Sequence, residues 1–334
     1  MPLGGKAFIK PLPFGFGTNT AMIDYGVVTA QLAACQSYGM KYVRDNVPWN
    51  FTQGSFTGIE VVPGTFSSVN AATVASVVAT YKTYGLTPIL VVTVNSNPGL
   101  TATWTSGIPT TPAQFAAMMA WLVAQPGLQG ITWELFNEPD SSGVGVPYAL
   151  LAQAYSLAYP AMKSADPTCT VMGFVLEGMG PTGYGNETYY NNAVAAGILP
   201  YMDQASFHIY CLSSNNTTYD WSPAAYGGDN SPWPNWLTIA NWQANRIAKG
   251  DTTHMWITEF GWNSSNDGIM TPQLQAQYYQ DFMTSISGMD PVNGVLFSSY
   301  LKVVCQYAIG NGANEWGIYQ QPAASVVTEL ISGH

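Results

Sequence analysis

The sequence predicts an α/β fold, one (β/α)₈ barrel spanning residues 1–334 as a single domain, and three observations lead there. Eight short apolar runs alternate with amphipathic segments from one end of the chain to the other. Several amphipathic segments close on a glycine just before the next apolar run, which is the rhythm of a parallel sheet. The G-x-G-x-x-G fingerprint of a doubly wound sheet is absent, and 334 residues suit a barrel, which needs about 250 before loop insertions.

The expected strands, in order, are FIKPLPFGFG (8–17), MKYVRDNV (40–47), TPILVVTVN (87–95), GITWELFNE (130–138), TCTVMGFVL (168–176), DQASFHIYC (203–211), THMWITEFGW (253–262) and GVLFSSYL (294–301). Ser68 reads as the cap of one helix, and Thr111-Pro112 and Thr271-Pro272 open two others, because proline suits the first helical turn. Gly39, Gly85, Gly250 and Gly288 read as helix stops. The longest stretches outside helices, 48–67, 96–111, 177–187 and 211–233, all follow strands, where barrel enzymes place substrate contacts.

Composition narrows the partners. Charged residues are 8%, against about 25% in an average soluble protein. With nine Lys+Arg and a net charge of −10, the chain has no footprint for nucleic acid or an anionic membrane surface. A neutral, hydroxyl-rich ligand fits better than a polyanion. No run approaches ~18 uninterrupted apolar residues, so no membrane span is expected. Cys35, Cys169, Cys211 and Cys305 form no C-x-x-C pair or Cys/His cluster, and no metal or other cofactor is expected. Buried thiols and one or two disulfides are both open. The start, MPLGGKAFIK, does not read as a signal peptide. The expected setting is extracellular or periplasmic, with any leader already removed, and the expected state is a monomer.

The chemistry centres on glutamates. Only eight occur, and Glu138 and Glu259 each end an expected strand, the fourth and the seventh. Those ends share one rim of a barrel, so two residues far apart in sequence can face each other across its mouth. Cleaving a glycosidic bond needs such a pair, one carboxyl to protonate the leaving oxygen and one to attack the anomeric carbon. Arg44 lies inside an apolar strand, where an unpaired guanidinium would be very costly, and Glu134, on the Glu138 face but one layer deeper, is a candidate partner. Strict alternation sends Asn137 away from Glu138, so a shared site requires the strand to end or bulge there. His208 reads either as a core histidine or as a site residue.

Trp133 to Asp140 (WELFNEPD) resembles the fourth-strand Asn-Glu-Pro signature of clan A glycoside hydrolases, and Ile257 to Trp262 (ITEFGW) resembles their seventh-strand nucleophile segment. Phe207 to Tyr210 (FHIY) is similar to the end of their sixth strand, and Arg44 matches their buried arginine. The wording leans towards family 39, with family 5 close behind. The resemblance implies a retaining hydrolase of β-glycosidic bonds, with Glu138 as general acid/base and Glu259 as nucleophile. It further implies that Arg44 and the Tyr210 hydroxyl stabilise Glu259, that Asn137 binds the sugar 2-hydroxyl, and that His208 orients substrate or carboxyls. Clan members commonly carry a Trp at the end of strand eight. Here that strand reads GVLFSSYLKV, so Tyr300, Trp262 or Trp316 is expected to floor the sugar site.

Trp221 and Trp233, in the 211–233 loop, are expected to stack on sugar rings. Long aromatic loops point to several subsites and to internal cleavage of a polysaccharide. The alternatives are a non-catalytic carbohydrate-binding barrel, an exo-acting enzyme such as a β-xylosidase, and a metal-dependent hydrolase. The last is disfavoured because His208, His254 and His334 do not supply two ligands at strand ends. The sparse charge also predicts acid tolerance, since few ion pairs are lost on protonation.

Overall fold

A computed structural model describes residues 12–50, 52, 54–62, 64–93, 111–141, 145–177, 185–210, 235–261, 271–307 and 321–332. Eight parallel strands close a barrel: β1 (Gly15–Asn19), β2 (Tyr42–Pro48), β3 (Thr87–Thr93), β4 (Thr132–Leu135), β5 (Thr170–Leu176), β6 (Gln204–Tyr210), β7 (Met255–Gly261) and β8 (Leu301–Gln306). Each pairs with its sequence neighbours, and β8 closes against β1 through Gly15 to Thr18 and Val303 to Gln306. A helix follows every strand: Thr29–Ser37, Ser68–Thr83, Pro112–Val123, Tyr148–Ala165, Gly185–Ala195, Asn235–Ala248, Pro272–Ile286 and Pro322–Ser332. None of the described helices is long and apolar enough to cross a membrane.

Local chemistry explains the punctuation. Thr111 caps its helix through a reciprocal capping box with Gln114, with Pro112 in the first turn. The cap at the third segment is Ser67, which accepts from the Asn70 backbone; Ser68 is already the first helical residue. Gly39, Gly85 and Gly250 take positive φ of 79°, 71° and 78°, the left-handed stop that a side chain resists. Gly288 does not share that conformation. Cys35, Cys169 and Cys305 are buried free thiols, while Cys211 lies outside the described residues.

The eighth strand departs from expectation. Val295–Leu296 pairs with Met289–Asp290 as a small antiparallel ladder, Phe297–Ser299 is a 3₁₀ turn, and the barrel strand is Leu301–Gln306. Two apolar runs stand side by side, and hydrophobicity alone does not choose between them. Closure against β1 and β7 selects the second. Tyr300 therefore sits before β8, at the rim opposite the ends of the strands, with its hydroxyl donating to Asp290 Oδ2 at 2.8 Å. It does not floor a sugar site.

Inside the barrel the layers are chemically distinct. The bottom is apolar, built from Ile89, Met172, Val303 and Cys305, with Tyr42 and Trp256 crossing edge-to-face at 5.6 Å. Gly15 and Gly17 make room for Tyr42, because a Cβ on Gly15 would lie 2.3 Å from its ring. Two residues further along the strands, alternation brings Arg44, Glu134, Ser206 and Thr258 into the interior as a polar layer. The site sits directly above.

Between barrel and helices lies an unusual acidic pair. Asp45 is buried and accepts from the backbone N–H groups of Met22, Ile23 and Asn46 and from the Tyr81 hydroxyl. Asp24 is fully buried, and neither of its oxygens meets a hydrogen-bond partner among the described residues. Burial, then the charge of Asp45, pushes Asp24 up to about 7; burial also raises Asp45, to about 6, against its four donors. With donors on Asp45 and none on Asp24, Asp24 is the group that keeps its proton. A carboxyl whose folded pKa is raised contributes stability that is full below its unfolded value and lost as pH rises through the folded value. The melting temperature is therefore expected to fall between pH 4 and pH 8 by several degrees. Asp24→Asn should flatten that slope and raise the melting temperature at pH 8; an unchanged slope in a thermal-unfolding series would sink this account.

Candidate active site

The strand ends converge through three backbone irregularities. The first is at β4, which stops at Leu135. Phe136 then turns left-handed, with φ of 74°, and Glu138 does the same at 47°. Phe136 packs outward on Phe115 at 4.4 Å between ring centroids, leaving both Asn137 and Glu138 at the mouth. The second is in β5, where Phe174 and Val175 have φ of 71° and 48° and the register with β6 slips. The two are joined, since the Glu138 N–H donates to the Val175 carbonyl at 2.9 Å. Left-handed geometry costs non-glycine residues roughly 1–3 kcal/mol each, so surrounding contacts must hold it.

The third is a bulge in β7. Against β6, Phe207 faces Ile257 while the next residue, His208, faces Glu259; against β8, Val304 faces Ile257 while Gln306 faces Phe260. One extra residue on β7 lets Thr258 and Glu259 both reach the interior. Thr258 meets the Ser206 hydroxyl at 2.5 Å in the polar layer, and Glu259 lies above it.

Arg44 organises the centre. Its Nε donates to Glu134 Oε2 at 2.6 Å, Nη1 to Glu259 Oε1 at 2.5 Å and to Asn19 Oδ1 at 2.9 Å, and Nη2 to Asn137 Oδ1 at 2.7 Å. Glu134 is fully buried and also accepts from Ser206. Arg44 thus serves at once as a structural ion pair with Glu134 and as a donor to Glu259. Asn19, at the end of β1, supports it from behind by donating to the carbonyls of Thr258 and Gln306.

His208 bridges the carboxyls. Its Nδ1 lies 2.7 Å from Glu138 Oε1, and its Nε2 lies 3.6 Å from Glu259 Oε1. Burial alone would lower its pKa, but the Glu259 charge and the Glu138 hydrogen bond outweigh it and raise it. One ligand-type atom from each of Glu138, His208 and Glu259 lies within 4.8 Å of the others. A cation placed there would face the Arg44 charge and compete with the Glu138–His208 contact. Glu259 is nearly buried, whereas the Glu138 side chain is 23% exposed and meets solvent at the mouth.

Two residues join this site that the sequence reading did not single out. Tyr307 follows β8, its N–H on the Phe260 carbonyl at 2.7 Å, and its phenol is raised by burial and then by the charge of Glu259. It stands where the corrected register of β8 ends, so the misplaced strand hid it. Glu177 follows β5, its N–H on Asp140 Oδ1 at 2.9 Å. Tyr210 ends β6, but its side chain lies outside the described residues, as do Trp221, Trp233, Trp262 and Trp316.

No family model matches the chain, and no curated protein is similar to it in sequence. Solved structures are similar in fold. A GH5-4 broad specificity endoglucanase from Clostridium acetobutylicum superposes with a TM-score of 0.64 at 13% identity, over 95% of this chain and 97% of that one. A hyperthermostable endo-1,4-beta-D-mannanase from Thermotoga petrophila RKU-1 gives 0.59 at 15% identity, over 96% and 99%. A glucosidase from Croceicoccus marinus gives 0.66 at 13% identity, over 97% and 68%. At such identities the likeness is one of fold.

Proposed function

We propose that this protein is a retaining clan A hydrolase of β-glycosidic bonds, acting within a neutral polysaccharide outside the cytoplasm. The observation that carries the reading is the Glu138–His208–Glu259 group at the mouth of the barrel, in which one carboxylate oxygen of each glutamate and one ring nitrogen of His208 lie within 4.8 Å of one another. Retaining enzymes hold their carboxyls about 5–5.5 Å apart, whereas inverting ones leave ≈ 6.5–9.5 Å for a water. Carboxylate oxygens that approach this closely favour direct attack over an intervening water. Internal cleavage is supported by the length and aromatic content, in sequence, of the segments between the apolar runs and the helical ones, such as 211–233, and the fold neighbours include an endoglucanase and a mannanase.

In the first step a Glu259 oxygen attacks the anomeric carbon as the bond to the leaving oxygen breaks, and Glu138 passes its proton to that oxygen. Arg44 fixes Glu259 in line and balances its charge. Asn137, held by Arg44 through its oxygen, presents its amide nitrogen to the substrate, the geometry suited to a 2-hydroxyl. In the second step Glu138 takes a proton from water, whose oxygen attacks the anomeric carbon and releases Glu259. His208, in contact with both carboxyls, keeps them aligned through the exchange of protonation state.

The test is stereochemical. Following an aryl β-glycoside by proton NMR, the β-anomer of the released sugar should appear first and the α-anomer only by later mutarotation. First appearance of the α-anomer would reject retention, and no turnover on glucoside, mannoside, xyloside or polysaccharide panels would reject the hydrolase.

A further inference from the structure

We infer that Glu177 is a specificity-determining residue that accepts hydrogen bonds from hydroxyl groups of the leaving-group sugar, an inference that rests on the hydrolase reading above. Glu177 stands at the bend directly after β5, where its carboxyl feels the charges of Glu138, Asp140 and His208, the groups at the mouth. The segment is pinned there from both sides, by the Glu138 N–H on Val175 and by the Glu177 N–H on Asp140. β5 neighbours β4, which carries the proton donor, and is separated from β7, which carries the attacking carboxyl, by β6. The leaving oxygen must lie against Glu138, so the sugar attached to it extends over the β4–β5 side of the rim.

Glu177 is half-buried, and its carboxyl is raised by burial and then by the charges of Glu138 and Asp140. Such a carboxyl lacks the full hydration of a surface acid and gains from a hydroxyl donor. A bond from a sugar hydroxyl to a charged acceptor contributes in both ground and transition states, and binding energy remote from the reacting centre is spent on alignment. An aryl leaving group carries no hydroxyl at this place.

The test compares two substrates sharing one glycone: the β-1,4-linked gluco-, manno- or xylo-oligosaccharide that the wild type cleaves fastest, and the matching 4-nitrophenyl glycoside. Glu177→Ala is expected to lower kcat/KM for the oligosaccharide roughly 10- to 100-fold more than for the aryl glycoside. Glu177→Gln, which keeps one acceptor oxygen, should fall between. Equal losses on both substrates, or none on either, would overturn the assignment. A wild type inactive on every glycoside would instead remove the hydrolase reading, and this inference with it.

Discussion

Glu259→Gln is expected to lower kcat by about four to six orders of magnitude, as loss of a nucleophile does when the rest of a site stays intact. The fold should survive, because the amide oxygen still accepts from Arg44 Nη1, and Arg44 keeps its Glu134 partner. On the proposed mechanism, what disappears is the charged oxygen that would form the bond to the anomeric carbon. Melting temperature and far-UV dichroism should therefore stay close to wild type while turnover vanishes. Near-normal activity in this variant would overthrow the nucleophile assignment; a collapsed fold would show that Glu259 is chiefly structural.

Arg44→Met is expected to destabilise the barrel strongly. Among the described residues, the side chains of Glu134, Asn19, Glu259 and Asn137 accept from this guanidinium, and Glu134 is fully buried. Removing one partner of a buried pair costs about 3–5 kcal/mol, because the remaining charge stays desolvated. The melting temperature should drop by roughly 4–7 °C. Adding Glu134→Gln to Arg44→Met should restore part of that loss, since it removes the stranded charge, without restoring activity. A single variant as stable as wild type would mean that Glu134 finds its compensation elsewhere.

These two variants divide the site as the chain itself does. The pairing of Glu138 with Glu259 at one rim was legible because two of eight glutamates ended the fourth and seventh apolar runs. The need of Arg44 for a partner was legible too, from a cation set inside a buried strand, and Glu134 was a candidate by alternation alone. Tyr307 and Glu177 were not legible. Tyr307 depends on which of two adjacent apolar runs enters the barrel, and that choice is made by pairing with β1 and β7. Glu177 stands one residue beyond a strand whose side-chain directions are reset by the left-handed Phe174 and Val175.

The sequence by itself determined the repeat of strand and helix, the helix stops at Gly39, Gly85 and Gly250, and the placement of two carboxyls on one rim. Each follows from periodicity, backbone freedom or topology, which are local or counting properties of the chain. Only the tertiary structure decided which side chains share the mouth. Strict alternation would have separated Asn137 from Glu138 and sent Glu259 away from Thr258. The turn after β4 and the bulge in β7 bring each pair together. Such breaks carry a local energetic cost and are held by contacts with neighbouring strands, such as the bond from Glu138 to Val175, which no single segment of sequence encodes.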